Sequence, residues 1–461
     1  MLKRKVENKL ISWLNNKEKA LLITGARQVG KTYIIENFIR NNFENYISIN
    51  FAMQQDLIDL FVKVKNPNQI MINLSTYYGD KLVVGKTAIF FDEIQILYQR
   101  REELMKKGEI DSTYLDLITA TKHFVMENKY RFIMSGSLLG VTLKDIVLYP
   151  LGYLDEIKMY PLDFEEFLWA KGVGNYAIDH LKDCFNNHIA VEEELNKTYL
   201  NLFKEYVLIG GMPEAVNSYI SSSNLYYLNE AQQQIINKYL YDITTYIDSD
   251  EKKIRVRNIY DSIPSELNNK NKRFVSSRVL EAKYLKNNNI VDEFLWLTNA
   301  GVAIPVYNVS RVETPLLLTM ERRTLKLFMN DTGLLISSLV STGIREKLLL
   351  NEKEINYGAP YENAAAQELN AHGFNGKIFY YNSKKHGEVD FVIEHDNEVL
   401  PIEIKSGKPN EMNTYNHNAL NNIINLYNIK KAYIFGETNI KKESDIIWQM
   451  PIYMIAFLSK E

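Results

Sequence analysis

Over the first 160 residues, short apolar runs alternate with amphipathic stretches. Ala20–Thr24 predicts a buried strand and Lys31–Asn41 the helix that follows it. Ile47–Phe51, Thr87–Phe91 and Arg131–Ser135 predict three more strands. Strands separated by helices imply a parallel sheet covered on both faces. From about 166 to 250 the pattern is mostly helical, with a break at Gly210–Glu214 that reads as a structural turn. From 251 to about 340, helices mix with a short β segment at Phe294–Leu297 and beyond, and Ser262–Leu267 reads as a helix start. Residues 341–461 return to α/β. There, Glu388–Glu394 and Val399–Lys405 alternate polar and apolar residues around a turn at His395–Glu398.

The hairpin pattern fixes a register. If Glu394 pairs with Val399, Asp390 falls opposite Glu403, and Lys405 shares the face of Glu403. Two facing carboxylates repel unless something neutralises them. Mg²⁺ or a similar hard cation would do so, and Lys405 could then polarise a metal-bound water for phosphodiester hydrolysis. The other reading of Lys405 is a plain ion pair with surface acids.

Gly25-Ala26-Arg27-Gln28-Val29-Gly30-Lys31-Thr32 fits GxxxxGK[ST] between a strand and a helix, the context a phosphate-binding loop requires. Its N–H groups converge on phosphate oxygens, and the helix N-terminus adds positive potential. Lys31 is expected on the β- and γ-phosphates of ATP and Thr32 on Mg²⁺. Ala88–Glu93 is an apolar strand ending in two carboxylates. Asp92 is expected in the Mg²⁺ shell and Glu93 as the base for the attacking water. Ser135, at the end of its own strand, is placed to meet the γ-phosphate or the water, or is simply a strand-to-turn residue.

These residues resemble the bacterial and archaeal AAA-type P-loop ATPases that carry a C-terminal domain of unknown function similar to PD-(D/E)XK nucleases. The resemblance rests on GARQVGKT (25–32), FFDEIQ (90–95), IMSGS (133–137), YPLDFEEFL (160–168), LIGGMPEAV (208–216), LFMNDTGLL (327–335), YENAAAQEL (361–369), EVDFVI (388–393) and PIEIKSG (401–407). It implies an α/β fold with an AAA-type ATPase core at 1–165 and a helical lid at 166–250. A winged-helix module at 251–340 and a PD-(D/E)XK nuclease-like α/β domain at 341–461 would follow. It adds Glu362 to the metal ligands Asp390 and Glu403. It also implies a homo-oligomer or a protein partner as options. Such proteins usually carry Gly-Arg before the YPL segment, whereas here Tyr153 follows Gly152. Arg100, Arg101 and Arg131 are the candidates to supply that charge, which can be worth about 10³–10⁵ in rate.

Composition narrows the partners. The 461 residues hold 54 Lys+Arg against 57 Asp+Glu, so no basic coat surrounds the chain. Residues 251–290, however, hold ten basic residues (Lys252, Lys253, Arg255, Arg257, Lys270, Lys272, Arg273, Arg278, Lys283, Lys286) and four acids, a net of 10 − 4 = +6. With a second helix at 275–285, this segment is a candidate DNA-binding surface. One cysteine excludes a disulfide framework, and histidines such as His180, His188 and His386 lack zinc-site spacing. No apolar run is long enough for a membrane span, and the N-terminus lacks the apolar core of a signal peptide, so a soluble cytoplasmic protein is expected. Two functions follow: ATP hydrolysis coupled to action on DNA, with a metal-dependent nuclease site, or a nucleotide-gated switch that binds a protein through an inactive nuclease-like domain.

Overall fold

Ala20–Gly25 (β1) and Thr87–Asp92 (β3) are buried at every position, as strands inside a doubly covered parallel sheet must be. Asn45–Asn50 (β2), Arg131–Ser137 (β4) and Leu154–Met159 (β5) complete the sheet in the order β2-β3-β4-β1-β5, all parallel. The computed structural model describes residues 2–16, 18–137, 150–222, 224–247, 249–269, 274, 291–350, 352, 357–406 and 418–460. The chain folds into two compact units. One is Lys3–Tyr160 with Asn299–Gly301; the other is Pro161–Thr298 and Val302–Glu461, with Met1–Leu2.

In the first unit, Phe51, Phe61, Phe91, Phe124 and Phe132 form a chain of packed rings in the core, with centroids 4.4–6.3 Å apart. Each fully buried ring contributes about 1.5–3 kcal/mol. Local signals set the helix starts. Asn66 caps Pro67–Tyr78 through the amide of Gln69, and Pro67 sits where its missing N–H costs nothing. Asp116 caps Leu117–Glu127 through Thr119.

The second unit holds an eight-stranded mixed sheet. Its strands are Ala303–Val309 (β6), Met320–Met329 (β7), Phe379–Ser383 (β8), Gly387–His395 (β9), Glu398–Ile404 (β10), Ala432–Gly436 (β11), Lys441–Lys442 (β12) and Ile447–Pro451 (β13). The order is β12-β13-β11-β10-β9-β8-β6-β7. The boundary expected at 340/341 falls between β7 and β8 of this one sheet. The β9–β10 hairpin has the register read from alternation, with Val399 opposite Glu394 and Ile402 opposite Phe391. Asp396 and Asn397 turn it with φ of 51° and 64°, the two left-handed residues of a type I′ turn.

Two local expectations need correction. Phe294–Leu297 is not β: it lies inside the helix Val291–Asn299, and the strand begins only at Ala303. Burial at Glu293, Phe294 and Leu297 follows helical spacing, which a four-residue apolar run cannot reveal. Ser262 does not start a helix either. Ser249 caps one helix running from Asp250 to Asn268, with Pro264 inside it. Buried Val256, Ile259, Tyr260, Ile263 and Leu267 keep one apolar stripe across the proline, and packing overrides its helix-breaking tendency. The basic residues Lys270, Lys272, Arg273, Arg278, Lys283 and Lys286, and the helix expected at 275–285, lie outside the described residues.

The break at 210–214 is a packing point. Gly210 has φ 83° and ends the helix Glu193–Ile209. Gly211 donates its N–H to Asp331 (2.5 Å), and its carbonyl accepts from the amide of Leu162 (2.7 Å). Asp331 also caps Thr332–Leu339 through Leu334. Burial pushes its carboxyl up to about 6 despite the backbone N–H groups around it. Nearby, Thr332 donates its N–H to Gln367, and Gln367 donates to the Tyr206 hydroxyl, which lies 2.8 Å from Glu368. Segments far apart in sequence are tied here by buried polar groups that must find partners.

Candidate functional site

In a parallel sheet every strand ends on the same side, and there β1, β2, β3 and β4 deliver Gly25, Asn50, Asp92 and Ser135. The 25–32 loop leaves β1 with Gly25 at φ 152°, passes Gln28 at φ 68° and Gly30 at φ 90°, and enters the helix Lys31–Asn42. The left-handed Gly30 turns the helix's first N–H groups toward the loop's interior. Val29 is fully buried, and its carbonyl accepts from Arg4, whose other nitrogen donates to Tyr160 O. Arg4 thus braces the loop from outside the motif. Lys31 is buried, with its ammonium 3.0 Å from Gly25 O and 2.8 Å from Ala26 O.

Asp92 is the hub. Its Oδ2 accepts from Thr32 Oγ1 and from Asn50 Nδ2, both at 2.8 Å. Its Oδ1 accepts from Ser135 Oγ and from the Glu93 amide. Burial raises the Asp92 pKa, the Ser135 and Thr32 hydrogen bonds oppose this, and the Glu93 charge adds to it. A hydroxyl and a carboxylate sharing one point are a donor set suited to Mg²⁺. Thus Thr32 and Ser135 both reach Asp92, while the Lys31 ammonium faces the loop carbonyls and the Glu93 carboxylate is held by Gln95.

Glu93 adopts φ 57°, a left-handed conformation uncommon for a glutamate and typical of functional sites. Gln95, fully buried, donates its amide to Glu93 Oε2. Gly136 leaves room for it: a Cβ there would lie 2.8 Å from Gln95 Oε1. Asn50, Gln95 and Arg4 were not anticipated from the sequence. A polar residue ending β2 was the available signal for Asn50, which stands in register with Asp92. Gln95 holds the carboxylate by about one net hydrogen bond, worth about 1 kcal/mol. Gln95→Met is therefore expected to raise basal turnover about five-fold with KM unchanged. Steady-state kinetics check this; an unchanged or lower kcat would refute it.

The three candidate arginines are committed elsewhere. Arg100 pairs with Asp59 and Glu103. Arg101 donates to Tyr114 O. Arg131 lies at the start of β4, opposite the phosphate-loop end, stacked 4.1 Å over Trp13. Tyr153 lies beneath the Lys122 ammonium.

The second candidate centre lies on β9 and β10. Lys405 Nζ is 2.7 Å from Glu403, and Asp390 accepts from the amide of Ile404 at 2.9 Å. Glu362 is buried in the helix Gly358–Leu369, and both it and Asp390 act electrostatically on Lys405. The expected residues do converge. Among the described residues, however, no group of three or more His, Cys, Asp or Glu has an arrangement that could hold a metal ion. Lys326, not anticipated, stands among them instead. Of the described basic residues in the middle segment, Lys253, Arg255 and Arg257 pair with Asp250, with Glu251 and Glu293, and with Asp261. Among the described residues, no helix is long and apolar enough to cross a membrane.

Residues 17–168 match the family described as AAA domain. Residues 200–346 and 357–455 match two domains of unknown function, DUF8612 and DUF4143. The uncharacterized protein MJ1544 of Methanocaldococcus jannaschii is 26% identical over 416 residues, covering 87% of this chain and 76% of its own. Among solved structures, the Walker-type ATPase PABY2304 of Pyrococcus abyssi aligns with TM-score 0.44 and 16% identity, over 74% of this chain and 96% of that one. The STAND protein PH0952 of Pyrococcus horikoshii, which has a tetratricopeptide repeat sensor, aligns with TM-score 0.24 and 14% identity, over 80% of this chain and 48% of that one. The stretch that matches the AAA domain contains the phosphate loop Gly25–Thr32 and the strand ending in Asp92.

Proposed function

We propose that this protein is a nucleotide-gated switch, whose ATP cycle at residues 1–165 controls the engagement of a protein partner by residues 166–461. The observation that carries the ATP cycle is the hydrogen bond from Thr32 of the phosphate loop to Asp92 at the end of β3, with the Lys31 ammonium turned to the loop carbonyls. With ATP bound, the loop N–H groups cradle the phosphates, and Lys31 exchanges the carbonyls of Gly25 and Ala26 for phosphate oxygens. Thr32 and Asp92 would hold Mg²⁺, which would supply positive charge beside the phosphate oxygens. Glu93 accepts the proton of the attacking water. Ser135 and Asn50 keep Asp92 oriented.

A protein partner is favoured over DNA because Lys253, Arg255 and Arg257 are already paired with acids of the same unit. Phosphate contacts would leave a steep dependence of affinity on salt, through counterion release. The test measures ATP turnover of the native chain and of Lys31→Ala, with and without DNA, and DNA affinity from low to high salt. Turnover lost in Lys31→Ala, unaffected by DNA and without a steep salt slope, is expected. DNA-stimulated turnover with a steep slope would restore the DNA-acting reading.

A further inference from the structure

β2 is an edge strand of its sheet, with β3 on one side only. Successive amides of an edge strand point alternately to the neighbouring strand and to the open side. At the end of β2 the Phe51 amide points inward, to Asp92 O (3.2 Å). The Asn50 amide points to the open side, and Gln54 supplies its acceptor: Gln54 Oε1 lies 3.1 Å from Asn50 N. The same side chain is anchored at its other end, where Gln54 Nε2 donates to the Tyr78 hydroxyl (3.1 Å) at the end of the helix Pro67–Tyr78. The Gln54 backbone closes the turn as well, its N–H donating to Asn50 O (2.9 Å).

This turn decides which end of the Asn50 side chain meets Asp92. Asn50 Oδ1 accepts from the amides of Ala52 (2.9 Å) and Met53 (3.2 Å). With that oxygen committed to two donors, Nδ2 is the end that meets Asp92 Oδ2, 2.8 Å away. A flipped amide would set its oxygen against a carboxylate and its NH₂ against two N–H groups. The other donor to Oδ2 is Thr32. Thr32 is expected to turn its hydroxyl oxygen to Mg²⁺, which leaves Asn50 as the donor that holds Oδ2 in place.

We propose that Gln54 is a positioning residue for the carboxylate of Asp92, acting through Asn50. The chain Tyr78–Gln54–Asn50–Asp92 fixes the metal-binding carboxylate from the end of a helix. A residue that merely capped the turn would stabilise the fold and leave metal affinity untouched. The inference rests on the ATP and Mg²⁺ reading of this site and deepens it.

The test uses the full chain with Mn²⁺ and a non-hydrolysable ATP analogue, with free Mn²⁺ followed by electron paramagnetic resonance. Gln54→Met keeps the length of the side chain and removes both of its hydrogen bonds. It is expected to weaken Mn²⁺ binding about five-fold and to leave binding of the analogue in EDTA unchanged. Gln54→Glu keeps an acceptor for Asn50 and another for the Tyr78 hydroxyl, and is expected to restore native affinity to within about two-fold. In an Asn50→Ala background, Gln54→Met is expected to change nothing further, since residues acting in series are not additive. Native Mn²⁺ affinity in Gln54→Met would overturn the proposal, as would an equal loss in the Asn50→Ala background or a Gln54→Glu as weak as Gln54→Met. Should Gln54→Met not fold, Tyr78→Phe frees only the far end of Gln54 and is read in the same assay. A loss of about two-fold is then expected, and native affinity would overturn the proposal. A native chain that binds neither the analogue nor Mn²⁺ would remove the ATP reading and this inference with it, whereas a native chain that binds both leaves the variants to decide.

Discussion

Glu93→Gln is expected to bind ATP as the native chain does and to hydrolyse it about 10²–10⁴-fold more slowly. The substitution keeps the shape of the side chain and removes its ability to take a proton. Nothing that holds the nucleotide is touched: Lys31 still faces the loop carbonyls, and Thr32 and Asn50 still meet Asp92. Lys31→Ala should behave differently, losing affinity as well as turnover, because Lys31 contacts the phosphates in ground state and transition state alike. Binding of a fluorescent ATP analogue and release of phosphate separate the two variants. A Glu93→Gln protein with native turnover would remove Glu93 from the chemistry and point to another base.

The largest structural loss is expected from Gly211→Ala. Its φ is not positive, so conformational freedom is not the issue. The constraint is proximity: a Cβ there would lie 2.0 Å from the carbonyl oxygen of Leu162 and 2.8 Å from its nitrogen. Both are backbone atoms, and no flexible side chain can yield. Moving Gly211 away breaks its hydrogen bonds to Leu162 and Asp331 and leaves a fully buried carboxyl short of a donor. Overpacking and an unsatisfied buried group together should exceed about 4 kcal/mol. Gly79→Ala is the control, since nothing lies within 4 Å of its Cβ position and its backbone is helical. It should stay within about 1 kcal/mol of native stability. Thermal unfolding followed by circular dichroism compares the two, and a Gly211→Ala chain melting like Gly79→Ala would refute the role of proximity.

Local chemistry was the part of this fold most open to reading in the sequence. The phosphate loop is contiguous, and the strand ending in Asp92 and Glu93 carries its meaning within six residues. The β9–β10 register followed from period-two alternation, because a slip by one residue would turn every apolar side chain to the wrong face. Lys326 could not be found that way. It reaches Glu388 only because β7, β6, β8 and β9 are neighbours in the sheet, and no spacing rule links residue 326 to residue 388. The same holds for Arg4 behind the phosphate loop. The misread run at Phe294–Leu297 is the opposite failure. Four apolar residues fit a strand and a buried helical turn equally well, and only burial spacing decides between them.

The order in which the two sheets are written along the chain has a consequence during synthesis. All five strands of the first sheet have left the ribosome soon after Met159 has been added, whereas the second sheet begins only at Ala303. Its parallel β6–β8 pair and its last strand, Ile447–Pro451, wait for almost the whole chain. The phosphate-binding sheet can therefore close while most of the second unit is still untranslated, as N-terminal folding units generally do. Ribosome stalling well after residue 160 would then leave a folded strand set, while stalling before residue 451 would leave the second sheet with β11 unpaired on one side, an edge prone to pairing with other nascent chains.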